Sequence, residues 1–312
     1  MMVWNGKGAQ KVRSSIHDGS YRFCRTCPGL VQSGSLPTRE QLKTDPRMCE
    51  IMEKKLVVLE GPPKTVQMHN NRSCNLSCPS CRVRVMQDKS NGGREIQVAK
   101  FLLRKGVTHV TVGGSGDGLA GLPYRKFLMS LDVSQYPNLT TLRLGTNGLL
   151  VKSLWSKLPC TSHIKELSLS IDAARKATYE INRRGATWER LLENLEFISQ
   201  LRKEGQLRFV QMNMVVQRNN WRQVGQFIQM AERYGFDFVF LNPLGNWGHM
   251  TRGQFHRKVI HIKHVVDPVL EHYAFIDELN KQIAKYLHSE TPQVFFGSLM
   301  KFHQPSRAIK MQ

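Results

Sequence analysis

Cys74, Cys78 and Cys81 stand three residues and then two apart in Asn71-Arg72-Ser73-Cys74-Asn75-Leu76-Ser77-Cys78-Pro79-Ser80-Cys81-Arg82. Thiolates crowded into so short a loop repel one another unless a cation or an iron–sulfur cluster shares their charge. The count is informative, because structural zinc sites and filled [4Fe–4S] clusters take four protein ligands. Three cysteines leave one iron open to something that is not protein. A zinc knuckle or a loop of buried thiols is the alternative reading of the same spacing.

The loop follows an apolar run, Thr65–Met68, that reads as a strand. From about residue 62 to 245 such runs alternate with amphipathic stretches at the length of a βα unit: Val107–Val112, Leu139–Leu144, Ile164–Ile171, Leu207–Val216 and Phe236–Leu241. Trp188, Leu191, Leu192, Leu195 and Ile198 share one helical face, with Gly205 as the stop. Trp221, Val224, Phe227, Ile228 and Ala231 repeat the pattern, with Gly235 as the stop. Units of this kind, joined right-handedly, build a parallel sheet curling into part of a barrel. The expected fold class is therefore α/β, a partial (β/α)6 TIM-like barrel. It is flanked by an N-terminal Cys-bearing segment and a C-terminal helical extension, with boundaries at 1–61, 62–245 and 246–312. Within the extension a helix is expected from about Val266 to His288, and Pro292–Phe296 could add a final strand.

Ligands of such a sheet gather at the C-terminal ends of its strands. The first expected strand ends in the three cysteines and the second in Gly113-Gly114-Ser115-Gly116-Asp117-Gly118. The third ends in Gly145-Thr146-Asn147-Gly148 and the fourth in Ser168-Leu169-Ser170-Ile171-Asp172. The glycine-rich stretch also reads as a plain tight loop, and Asn-Gly is a good generic turn.

With these residues in place, the chain resembles the radical S-adenosylmethionine (SAM) enzymes, through its C-x3-C-x2-C loop after a first strand and the βα units behind it. The resemblance implies a [4Fe–4S] cluster on Cys74, Cys78 and Cys81, with SAM chelated to the open iron. It also implies reductive cleavage of SAM to a 5′-deoxyadenosyl radical that takes hydrogen from a substrate. It places Gly113, Gly114, Ser115 and Asp117 near the SAM amino group, Asp117 standing in for the family's usual Glu. Asn147 would lie close to the cofactor, Ser170 and Asp172 at its ribose or carboxylate, and Arg184, with Arg183 beside it, at its carboxylate. Asn213 would face the ribose and Asn242 the region of the adenine; a satisfied core or turn amide is the other reading of these two. Many members carry an aromatic residue just before the third cysteine, where this chain has Ser80.

Seven cysteines less these three leave Cys24, Cys27, Cys49 and Cys160. Cys24-Arg25-Thr26-Cys27-Pro28 resembles the start of a SPASM module, the auxiliary iron–sulfur region of many peptide-modifying relatives, here placed ahead of the barrel. That implies at most one auxiliary iron–sulfur cluster on Cys24, Cys27 and Cys49, and a peptide or protein substrate. A zinc ribbon-like site or free thiols is the alternative. Cys160 reads as an inert buried residue.

Lys and Arg number 45 against 24 Asp and Glu, a formal charge of +21. Such a surface attracts acidic partners: an electron donor such as a flavodoxin or ferredoxin, an acidic peptide, or nucleic acid. The last keeps two rivals open, a radical SAM enzyme acting on RNA and a non-enzymatic basic Cys-metal nucleic-acid-binding protein. No apolar run is long enough to span a bilayer, and Met1–Lys7 lacks a secretory signal's apolar stretch. A cytoplasmic location without membrane contact is expected, in keeping with thiols kept reduced.

Overall fold

The computed structural model describes residues 4–23, 44–88, 92–245, 251, 270–297 and 299. Cys24 and Cys27 lie outside these residues. Seven strands form one sheet in strictly sequential order, every neighbouring pair parallel. They are β1 (Thr65–Met68), β2 (His109–Val112), β3 (Thr141–Thr146), β4 (Ile164–Ser170), β5 (Phe209–Val216), β6 (Phe238–Pro243) and β7 (Gln293–Phe295). The expected α/β open barrel is present, and the short β7 extends it from six strands to seven. No helix among the described residues is long and apolar enough to cross a membrane.

The helices, in chain order, are α1 (Lys7–His17), α2 (Pro46–Glu53), α3 (Gly93–Arg104), α4 (Leu122–Met129), α5 (Val151–Leu154), α6 (Lys176–Asn182), α7 (Trp188–Lys203), α8 (Val224–Arg233) and α9 (Leu270–Tyr286). Leu191, Leu195 and Ile198 on α7, and Val224, Phe227, Ile228 and Ala231 on α8, are buried. They meet the alternate strand residues Leu167, Leu169, Val210, Met212, Met214, Val239 and Leu241, all essentially without solvent exposure. Fully burying one such leucine contributes about 2 kcal/mol. Truncating Leu195 to Ala would cost more, roughly 3 kcal/mol, because it leaves a cavity.

Four strands begin two residues later than the apolar runs suggest, for a local reason. Val107, Leu207 and Phe236 donate their amides to Leu102, Leu201 and Ala231, closing the ends of α3, α7 and α8. Each follows the glycine stop, or lies two beyond it, as in a Schellman turn with its apolar closing residue. At Gly235 the φ of +66° is one that L side chains adopt only under strain. The fourth, Leu139, instead donates to Tyr136, beyond the short helical turn Val133–Gln135.

The other face of the sheet is different in kind. Thr111, Arg143, Glu166, Ser168, Ser170, Gln211 and Asn213 line the lumen and keep partial exposure, and Gln67 on the same face is exposed. Toward the far edge the lining turns aromatic: Phe209 lies 6.0 Å from Phe238, and Phe240 stacks on Phe295 at 5.3 Å. A cavity of about 510 Å³ runs along β1–β4, lined among others by Gln67, His69, His109, Arg143 and Glu166. Arg143 pairs with Glu166 at 3.1 Å and donates to Gln211 at 2.6 Å.

Ahead of the barrel, α1 is tied to the irregular segment leading into β1. Asn5 exchanges hydrogen bonds with Leu59 through both its oxygen and its nitrogen, and Arg13 reaches the Val57 carbonyl at 2.8 Å while lying over the Trp4 ring. Cys49 is half-buried on α2.

Candidate functional site

The loop from Asn71 to Asp88 is fastened before the cysteines are placed. Tyr124 on α4 accepts from the Asn71 amide at 2.9 Å, and the Asn71 side chain spans Ser73 and Asp88. Ser73 and Arg72 lie directly on the glycine-rich loop after β2. A Cβ on Gly116 would fall 2.3 Å from the Ser73 carbonyl and 2.7 Å from that of Asn71. That contact, rather than a turn, requires glycine here. The Asp117 amide donates back to Ser73 at 2.9 Å.

Cys78 is buried, Cys74 half-buried and Cys81 exposed. Cys74 pairs with Met86 in an isolated antiparallel bridge, and the Cys81 and Arg82 amides both donate to the Cys78 carbonyl. Each sulfur has a nitrogen donor at hand. Asn147 Nδ2 lies 3.9 Å from Cys74 Sγ, Arg183 Nη1 lies 3.7 Å from Cys78 Sγ, and Arg82 Nε and Nη2 lie 3.4 Å from Cys81 Sγ. These contacts bring together the ends of β1, β3 and β4.

Burial pushes the thiols of Cys74 and Cys78 up, and the Asp117 carboxylate adds to the effect at Cys74. A neutral thiol is a poor ligand, so a cationic inorganic core is what would turn these sulfurs into thiolates. A second sign that the donor set fits such a core is the Tyr179 hydroxyl. It is fully buried, within electrostatic reach of Cys78, Asp172 and Arg183, and has no hydrogen-bond partner among the described residues. Also among the described residues, no group of three His, Cys, Asp or Glu side chains is gathered to hold a single metal ion. A cube of iron and sulfide binds each thiolate at a different iron, so its ligands need not meet at one point.

The remaining residues singled out in the sequence take varied places. Gly113, Gly114 and Ser115 lie on the loop after β2, Gly113 against Gly145, Gly114 against the His69 ring, and Ser115 accepting from Arg82. Asp117 is buried with its carboxylate fully engaged: Oδ1 accepts from the amides of Leu119 and Ala120, and Oδ2 from Thr146 and from the Asn147 amide at 2.7 Å. It shapes the junction of two loops. Asn147 Nδ2 also donates to Asn75 at 2.8 Å.

Asp172 has a left-handed φ of +63° and a buried carboxylate that accepts from the Val215 amide and pairs with Arg183 at 2.8 Å. Burial raises its pKa, and the guanidinium partly offsets that. Of the two adjacent arginines, Arg183 turns inward. Arg184 is exposed and clamps the cysteine loop from outside, donating to Ser77 Oγ and to the Val83 carbonyl at 3.1 Å each. Asn213 donates to Ser168 and to the Leu169 carbonyl at 2.9 Å, which engages its amide within the sheet. Ser170 lies opposite Asn213 in register, and Asn242 is further round on β6. Residues that spacing did not single out are Tyr124, Tyr179 and Arg82. Arg82, next to the third cysteine, carried a visible signal.

No protein-family model matches the chain, and no curated protein sequence matches it either. Several solved structures resemble it. Streptococcus suis SuiB bound to S-adenosylmethionine superposes with a TM-score of 0.50 at 12% identity, over 88% of this chain and 60% of that one. The same protein bound to precursor peptide SuiA gives 0.51 at 12%, over 92% and 61%. Native anSMEcpe with bound AdoMet gives 0.51 at 20%, over 74% and 63%. The chain thus spans less than two thirds of the length of each. The open parallel α/β barrel is the fold that this chain shares with these structures.

Proposed function

We propose that the chain is a radical SAM enzyme, with a [4Fe–4S] cluster on Cys74, Cys78 and Cys81 and S-adenosylmethionine on the open iron. The observation that carries the reading is a single loop at the C-terminal edge of a parallel half-barrel that bears three cysteines, each with its sulfur beside a nitrogen donor. Similarity to structures holding S-adenosylmethionine supports it. When bound, cluster and cofactor supply reductive cleavage of the sulfonium and a 5′-deoxyadenosyl radical that abstracts hydrogen.

The chain's own residues bind, orient and exclude water. Gly116 lets the cysteine loop seat on the second loop, and Asp117 fixes Asn147 against Asn75 and Cys74. Asp172 holds Arg183 toward Cys78, and Gly113, Gly114 and Ser115 offer backbone groups to the cofactor. Ser170, Asn213 and Asn242 complete the lumen-side set, with Arg184 keeping the loop closed from outside.

The substrate is a peptide or protein, supported by SuiB's likeness in its complex with precursor peptide SuiA and by a lumen that passes from polar to aromatic. Residues 1–61 act as an auxiliary segment, with Cys24, Cys27 and Cys49 offered to a second cluster, and residues 246–312 as a C-terminal extension. The charge of +21 favours an acidic electron donor such as a flavodoxin or ferredoxin. It also favours RNA as the rival substrate, for which affinity should fall steeply with salt.

Anaerobic reconstitution tests the central claim. The protein should take up about four irons per cluster and form 5′-deoxyadenosine from S-adenosylmethionine under a strong reductant, and Cys78→Ala should lose both. Tetrahedral zinc in place of iron, or normal turnover by Cys78→Ala, would sink it.

A further inference from the structure

Three arginines surround the cysteine loop, and their surroundings differ. Arg183 touches Cys78 but is bound to Asp172, so its charge is matched within the protein. Arg184 holds Ser77 and Val83 and, among the described residues, donates to no cysteine sulfur. Arg82 directs two nitrogens at one sulfur, Nε and Nη2 each 3.4 Å from Cys81 Sγ. The rest of its fork is fixed by neutral carbonyls on both flanking loops, Nη1 to Arg72 at 2.5 Å and Nη2 to Ser115 at 3.1 Å. Among the described residues it forms no ion pair with a carboxylate. It is therefore a half-buried cation whose position is set by the backbone and whose charge faces sulfur.

We propose that Arg82 sets the reduction potential of the centre held by Cys74, Cys78 and Cys81, as a fixed, unmatched positive charge hydrogen-bonded to the Cys81 sulfur. This rests on the reading that the three cysteines hold an iron–sulfur cluster. One electron from the reductant deepens the negative charge of a cluster already ligated by three thiolates. A cation in a partly water-excluded setting favours that reduced state, and hydrogen bonds to the sulfurs act in the same direction. The planar fork matters as well as the charge, since an ammonium cannot present two fixed donors to one sulfur while holding two carbonyls. Arg82 is thus a positioning residue for electron uptake, acting through Cys81.

The test uses the full chain, reconstituted anaerobically as wild type, Arg82→Gln and Arg82→Lys. Iron content is measured, and the reduced cluster is followed by electron paramagnetic resonance during a potentiometric titration. Arg82→Gln is expected to keep its iron but to show a reduced-to-oxidised ratio at least tenfold smaller at fixed solution potential, a downward shift of about 59 mV for one electron. Arg82→Lys should fall between the two. An unshifted potential in Arg82→Gln, with its cluster intact, overturns the proposal. If Arg82→Gln takes up no cluster, Arg82→Lys decides: an intermediate potential supports the proposal, whereas a wild-type potential, or no cluster in either variant, makes Arg82 an assembly residue and overturns it. A wild-type chain that binds no iron overturns the function proposed above, and this inference with it, whereas an unshifted variant defeats this inference alone.

Discussion

Arg183 Nη2 lies 2.8 Å from Asp172 Oδ2 with both side chains almost wholly removed from water, 12% and 3% exposed, while Nη1 of the same guanidinium reaches the sulfur of Cys78. Breaking such a pair leaves a charge buried without its partner, which costs about 3–5 kcal/mol. Asp172→Asn tests this cleanly, because Asn tolerates the left-handed backbone that Asp172 adopts. Chemical denaturation should show a loss of about 3 kcal/mol for Asn and a larger one for Ala, which adds backbone strain. A loss under about 1 kcal/mol for Asn would mean that the charge pair is not held as described.

Gly116 separates contact from conformation. Its added Cβ would strike the Ser73 carbonyl at 2.3 Å, whereas a Cβ on Gly205 would meet nothing within 4 Å. Gly116→Ala should displace the cysteine loop and cut iron uptake severalfold while leaving far-ultraviolet circular dichroism unchanged. Gly205→Ala, with its φ of +73°, should cost about 1 kcal/mol in backbone strain and leave iron uptake intact. Equal iron in both variants would refute the seating of one loop on the other.

Asp117 accepts four hydrogen bonds, two from the loop after β2 and two from the end of β3 and the residue that follows it. Its removal orphans buried donors, so Asp117→Ala should lower stability by about 2–4 kcal/mol. Asp117→Asn should lose less, and it should retain S-adenosylmethionine affinity in the reconstituted protein to within about threefold, a change of only about 0.7 kcal/mol. Equilibrium dialysis distinguishes this from direct contact, for which the Asn variant would bind at least tenfold more weakly.

Cys160 is fully buried beside the Leu128 carbonyl, and burial pushes its thiol up to about 11. In the unfolded chain the thiol titrates near about 8.5. The fold thus favours the protonated form, so its contribution is complete below that value and is lost as pH rises through 11. On the order of 2–3 kcal/mol should disappear across that window. Subtracting the pH profile of Cys160→Ala isolates it from the tyrosines, and identical slopes would contradict the assignment. At pH 8 the native protein should alkylate Cys81, which is exposed, well before Cys160.

The barrel was legible in the chain because apolar runs that alternate with amphipathic helical faces and glycine stops, at the length of a βα unit, leave few other arrangements. Strand starts were less so: Val107, Leu207 and Phe236 are as apolar as strand residues, but their amides close the preceding helices. At the site, residue types at strand ends identified the loops, and tertiary contacts decided which side chains turn inward. Adjacent Arg183 and Arg184 are equivalent in sequence, and only the buried carboxylate of Asp172 selects the first. Asp117 reads as a ligand-facing acid, and the four donors around its carboxylate come from residues that its neighbours in sequence do not all reveal. Asn213 was open to two readings, and its amide is engaged within the sheet.

Strands β1 and β7 are the two ends of the sheet and do not pair with each other. A closed cylinder admits a polymer only by threading its tip through the rim. A crescent can be entered sideways, by an interior stretch of an unbroken chain, with hydrophilic groups meeting the Arg143 side and aromatic ones the Phe240 side. Among the described residues, widening the space between β1 and β7 would break no backbone ladder.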